Sequence, residues 1–96
     1  MSILDINNVN SITKSWLIDN YFINLDDDIW YLDIDPGEDY HFWTLVYNIN
    51  THDVSIYCQS IYYPTTKFKN VSPEKIYRNI DDIFVLNTII KHVETL

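Results

Sequence analysis

The stretch DDDIWYLDIDPGEDYHFWTLVYNINTHD, residues 26–53, decides the fold. From Ile29 to Asp35 it alternates, with Trp30, Leu32 and Ile34 on one side of an extended chain and Tyr31, Asp33 and Asp35 on the other. That period of two is the pattern of a half-buried strand. Pro36-Gly37 marks a turn. His41 to Asn50 then reads as a second strand that gathers Trp43, Leu45, Tyr47 and Ile49 on one side, and Asn50-Thr51-His52-Asp53 supplies a hairpin turn. Val54 to Tyr62 makes a third strand, with Val54, Ile56 and Cys58 on one face.

Helices are expected on either side of this meander. Asn8, Asn10 or Ser11 can cap a helix whose apolar positions Val9, Ile12 and Trp16 recur at spacings of three and four towards Tyr21. Tyr21 to Leu25 can instead form an extra strand, joined to the next through the Asp26-Asp27-Asp28 turn. Beyond Pro64, Ser72-Pro73-Glu74 carries the cap and first-turn residues of a second helix. That helix is expected to break near Asn79 and restart, because Asp81 and Asp82 suit an N-terminal turn and Lys91 and His92 a C-terminal one. Ile80, Ile83, Phe84, Ile90 and Val93 supply its apolar stripe. The expectation is one α+β domain over residues 1–96, a three-stranded antiparallel meander with helices on one face, in the order α-β-β-β-α(α). The helices then cover Trp30, Leu32, Trp43, Leu45, Val54 and Ile56. The opposite face is left to Tyr31, Asp33, Asp35, Phe42, Thr44, Val46, Tyr57 and Gln59, a mixture of carboxylates and aromatics typical of contact surfaces.

Charge is unevenly distributed on this frame. The 96 residues hold 14 acids and 6 Lys and Arg, a net charge of −8. Residues 1–66 hold ten acids and one Lys, a net −9, whereas residues 67–96 hold four acids and five bases, a net +1. Between Asp19 and Asp39 stand eight acids and no base. Ile29, Trp30, Tyr31, Leu32 and Ile34 are interleaved with them, which places the acids on a folded surface and not in a solvated tail.

Several function classes are disfavoured. Apolar runs are too short for a membrane span, and the first residues lack the basic and apolar regions of a secretory signal. A single cysteine, Cys58, excludes an internal disulfide and fits a reducing cytoplasm. Scarce Lys and Arg argue against direct nucleic-acid binding. One glycine, Gly37, cannot build a phosphate loop. Asp33 and Asp35 share a strand face, but acid pairs arise by chance in so acidic a segment, so no catalytic role is expected. The run Asp33 to Asp39 alternates oxygen ligands yet lacks the glutamate that closes a calcium loop. His41, His52 and His92 are scattered, and Cys58 falls on the core face. Neither metal nor cofactor is expected.

What remains is a protein surface. Rigidly spaced carboxylates can occupy a Lys and Arg groove and attract it from a distance. The small size, the excess of Ile, Asn and Tyr without any Ala, the polarised charge and the element order together resemble phage-encoded DNA-mimic inhibitors, including small anti-CRISPR proteins. The resemblance implies a non-catalytic inhibitor in the host cytoplasm that occludes a basic nucleic-acid-binding surface of a defence nuclease. It carries no diagnostic motif and transfers no residue. From this chain alone, Asp26, Asp27, Asp28, Asp33, Asp35, Glu38 and Asp39 are the expected phosphate-like groups, with Tyr31 and Tyr57 as anchors. An immunity protein against a basic nuclease toxin, or an acidic adaptor or assembly subunit, would share this composition.

Overall fold

The computed structural model describes residues 10–34, 41–60 and 72–95. Within them the elements are α1 (Lys14–Asp19), β1 (Ile23–Asp26), β2 (Ile29–Ile34), β3 (His41–Asn48), β4 (Asp53–Ser60), β5 (Lys75–Tyr77) and α2 (Ile83–Glu94). The strands form one antiparallel sheet in the order β1-β2-β3-β4-β5. The fold is α+β and the meander is present, with five strands where three were expected.

The two additional strands have different origins. β1 is the extra strand that Tyr21 to Leu25 foreshadowed, shifted to Ile23–Asp26. β5 replaces the helix expected from Ser72. That helix would have to end by Asn79, which sits at φ 61°, and so short a helix bears the cost of nucleation for few hydrogen bonds. The open edge of β4 offers an alternative, and the Glu74 N–H donates to the Ile56 carbonyl at 2.7 Å as β5 pairs along β4. Helix formation resumes where the acids of Asp81-Asp82 suggested, with the Asp82 carboxylate accepting from the Phe84 N–H at 2.7 Å and Lys91 and His92 in the last turn of α2.

α1 is also shorter than expected. Ser11 is held in a bridge to Asp82, and Asn10 accepts the Ile83 N–H at 2.8 Å, so the chain stays extended there. The cap falls to Thr13, whose hydroxyl accepts the Trp16 N–H at 3.1 Å. Asn8 and Val9 lie outside the described residues.

Register sorts the side chains into two faces. Trp30, Tyr47, Val54 and Tyr77 stand in one row across the sheet, and Leu32, Leu45, Ile56 and Lys75 in the next. This inner face packs with Leu86, Ile89 and Val93 of α2, Leu17 of α1, and Ile12, Phe22 and Ile80. The Trp30 indole N–H is buried without a hydrogen-bond partner. An unmade hydrogen bond costs about 1–3 kcal/mol. Burying about 200 Å² of aromatic surface returns about 5 kcal/mol, so packing decides the position of this ring.

Tyr47 is the polar exception in this row. It is fully buried, and its hydroxyl donates to the Ile80 carbonyl at 2.8 Å while the Ile80 N–H donates to the His52 carbonyl at 2.8 Å. Burial, with a smaller contribution from the Asp81 carboxylate, pushes the Tyr47 phenol up from 10.0 to about 12. A raised phenol pKa favours the folded state below the unfolded value, and that contribution is lost as pH climbs through the folded value. Unfolding by urea should therefore become easier between about pH 10 and 12, with that loss reduced in Tyr47→Phe. At neutral pH, Tyr47→Phe should lower stability by about 1–3 kcal/mol, because the Ile80 carbonyl loses its donor. Equal stability of the two proteins across both pH ranges would contradict this role.

Candidate interaction surface

The outer face is set by the same registers. Asp33, Thr44 and Tyr57 form one row, Tyr31, Val46 and Ser55 the next, and Ile29, Asn48 and Asp53 the last. Tyr31 and Tyr57 stand half-buried on the strands flanking β3, so both expected anchors occupy the expected face. Between them Thr44 is fully buried, and its hydroxyl donates to the Asp33 carboxylate at 2.8 Å. Asp33 is exposed, yet part of its acceptor capacity is committed to this bond.

Asp26, Asp27 and Asp28 occupy the tight turn between β1 and β2, where Asp26 pairs with Ile29 and Asp27 adopts φ 21°. Aspartate tolerates such backbone better than most residues. The Asn24 side-chain amide staples the turn by donating to the carbonyls of Asp27 (3.3 Å) and Ile29 (3.1 Å). On the other side the Asp28 carbonyl accepts the Ile49 N–H at 2.9 Å, fastening this turn to the one that follows β3. Asp26 and Asp27 are exposed and Asp28 is half-buried.

The acids thus divide into separate groups. The Asp26 to Asp28 turn lies at one end of the sheet, and Asp33 stands four residues beyond Ile29 along β2, about 13 Å away at the usual strand rise. Asp35, Glu38 and Asp39 lie outside the described residues.

Sequence reasoning missed Asp53, which it placed in a hairpin turn. The register sets it opposite Asn48 on the outer face, at the same end as the aspartate turn, where it pairs with Arg78 at 3.5 Å. The available signal was the spacing of Asn48 and Asp53 about a turn. Asn48 holds that turn by accepting the N–H groups of Asn50 (2.9 Å) and Thr51 (3.0 Å), so the hairpin closes there and Asp53 begins β4. A groove of about 340 Å³ lies here, with Leu25, Ile29 and Val46 as apolar wall and Thr51, Asp53 and Ser55 at its polar side.

Among the described residues no group of three or more His, Cys, Asp or Glu is placed to hold a metal ion, and no helix is long and apolar enough to cross a membrane. Cys58 is half-buried on the inner face. Burial first, then the Glu74 carboxylate, pushes its thiol up, the opposite of what an activated nucleophile needs. Comparison with protein-family models, curated proteins and solved structures finds no match to this chain.

Alkylation of Cys58 by iodoacetamide near pH 8 should run several-fold slower in the folded protein than in urea, and Glu74→Gln should accelerate it, since removing the carboxylate raises the thiolate fraction. A folded-state rate equal to the unfolded one would overturn this assignment.

Proposed function

We propose that this chain is a small non-catalytic inhibitor that sets the acidic end of its sheet against a basic nucleic-acid-binding surface of a defence nuclease in the host cytoplasm. The observation that carries the reading is the fastened turn of Asp26, Asp27 and Asp28, with Asp53 at the same end of the sheet. A free chain of three aspartates would spread under its own repulsion. Here Asn24 and Ile49 hold the backbone that bears them, so binding has only the short aspartate side chains left to order. Spaced carboxylates on a fixed scaffold meet Lys and Arg as phosphates do. The net −9 of residues 1–66 adds long-range attraction to any basic cleft. Tyr31 and Val46 stand in the row next to Asp53, with Tyr57 one row further along, and supply apolar contact.

The test is inhibition of DNA binding and plasmid cleavage by a panel of purified CRISPR effector nucleases and nuclease toxins. Inhibition of an effector, competitive with DNA and with association that slows steeply as salt rises, is the expected result. The Asp26→Asn, Asp27→Asn, Asp28→Asn triple variant keeps the shape of the turn and its tolerance of positive φ. It should weaken the complex at least about tenfold while leaving the melting curve in place. Inhibition confined to a toxin would move the assignment to an immunity protein. Full inhibition by the triple variant, or salt-insensitive association, would overturn the acidic surface as the site.

A further inference from the structure

We propose that the groove on the outer sheet face is a slot for an arginine side chain of the basic partner, with the aliphatic stem along Leu25, Ile29 and Val46 and the guanidinium at Asp53. The inference rests on the reading that the acidic end of the sheet meets a basic protein. It adds which basic side chain is recognised, and where. The groove, about 340 Å³, has volume enough for a long side chain and is amphipathic in the matching sense, with apolar residues and a carboxylate in one lining. At the polar side the Asn48 side-chain oxygen already accepts the Asn50 and Thr51 N–H groups, so the charged acceptor for an incoming cation is Asp53. Asp53 shows its competence within the chain, because it pairs with the Arg78 guanidinium at 3.5 Å. The Arg78 side chain is 69% exposed against 33% for Asp53, so the carboxylate is held in place while its present partner is loosely engaged. An exposed pair of this kind contributes little, and exchange for an external guanidinium costs correspondingly little.

Arginine fits the slot better than lysine. A guanidinium is planar, weakly hydrated and forked, so its N–H groups can bridge Asp53 and the Ser55 hydroxyl two residues along the same face of β4. An ammonium would have to shed strongly held water against an apolar wall. The Asp26 to Asp28 turn joins the slot through Leu25 and Ile29, on either side of it, and so attracts the cation without having to touch it.

The experiment is a titration of the 15N-labelled chain with two nonapeptides of equal charge, one carrying arginines and one lysines between glycines. The arginine peptide should shift the Val46, Ser55 and Tyr57 amides and bind about five- to tenfold more tightly than the lysine peptide. Arg78→Ala, which releases Asp53, should strengthen arginine-peptide binding about two- to threefold. Asp53→Asn, and independently Ser55→Trp with its fold checked by amide dispersion, should bring the arginine peptide down to the lysine level. Equal binding of both peptides, with shifts confined to the Asp26 to Asp28 turn, would overturn the slot and leave the acidic surface standing. Binding of neither peptide at low salt would overturn both.

Discussion

The Tyr47 hydroxyl is the point on which the two layers of this fold depend. β3 is the central strand, and its Leu45 and Tyr47 belong to the core that Leu17 of α1 and Leu86, Ile89 and Val93 of α2 complete. Yet the chain leading to α2 arrives from the far edge of the sheet through β5. Ile80 is where that chain turns back. Its carbonyl takes the Tyr47 hydroxyl, and its N–H goes to the carbonyl of His52 in the turn after β3. One residue is thus fixed from a strand and from that strand's turn. The His52 Nδ1 lies 3.1 Å from the same hydroxyl. With the phenol proton directed to Ile80, an Nδ1–H on the imidazole would complete the contact, the phenol oxygen accepting it. Asp82, two residues on from Ile80, then caps α2 and bridges to Ser11, so the N-terminal segment is positioned by the same anchor.

How far this was legible in the sequence follows from the range of the forces involved. The alternation of Trp30, Leu32 and Ile34 against Tyr31 and Asp33 is a local record of a sheet with one covered face. It specified the central strands and placed Tyr31 and Tyr57 on the outer side. The β1 edge was legible only as an option, because Tyr21 to Leu25 carries no alternation strong enough to choose strand over helix, and the Asn24 staple across the turn is a tertiary detail. β5 was not legible. Ser72-Pro73-Glu74 is a sound local helix start, and it loses to the open edge of β4, a partner distant in sequence. The Asp53 groove was hidden for a related reason, since it arises when separate turns meet at one end of the sheet.

Asp33 shows why counting acids overstates a binding surface. It was grouped with Asp26 to Asp28 on charge alone, but it accepts a hydrogen bond from Thr44, which is fully buried. A polar side chain at full burial needs such bonds, so Asp33 serves the interior of the face as well as its exterior. Its charge remains available to a partner, but its position is governed by Thr44. Asp26 and Asp27 carry no such duty through their side chains in the bonds described. Their backbone is fastened while their carboxylates stand exposed. On the proposed function, that difference ranks the turn above the strand as the source of specific contacts.

The same distinction bears on how an acidic protein avoids binding every cation indiscriminately. Net charge alone recruits any basic surface and falls away with salt. Selectivity requires a carboxylate beside a shape that only some cations can fill. In the described face that combination occurs where Leu25, Ile29 and Val46 run up to Asp53, a carboxylate that already pairs with the chain's own Arg78. If the groove takes a partner's arginine as proposed, the Arg78 guanidinium is something that arginine has to displace, and a cation that cannot use the groove would gain too little there to compete. On the arginine-slot proposal, Arg78 would set a threshold on which basic surface is accepted, and the acidic turn at the same end of the sheet would govern how fast that surface arrives.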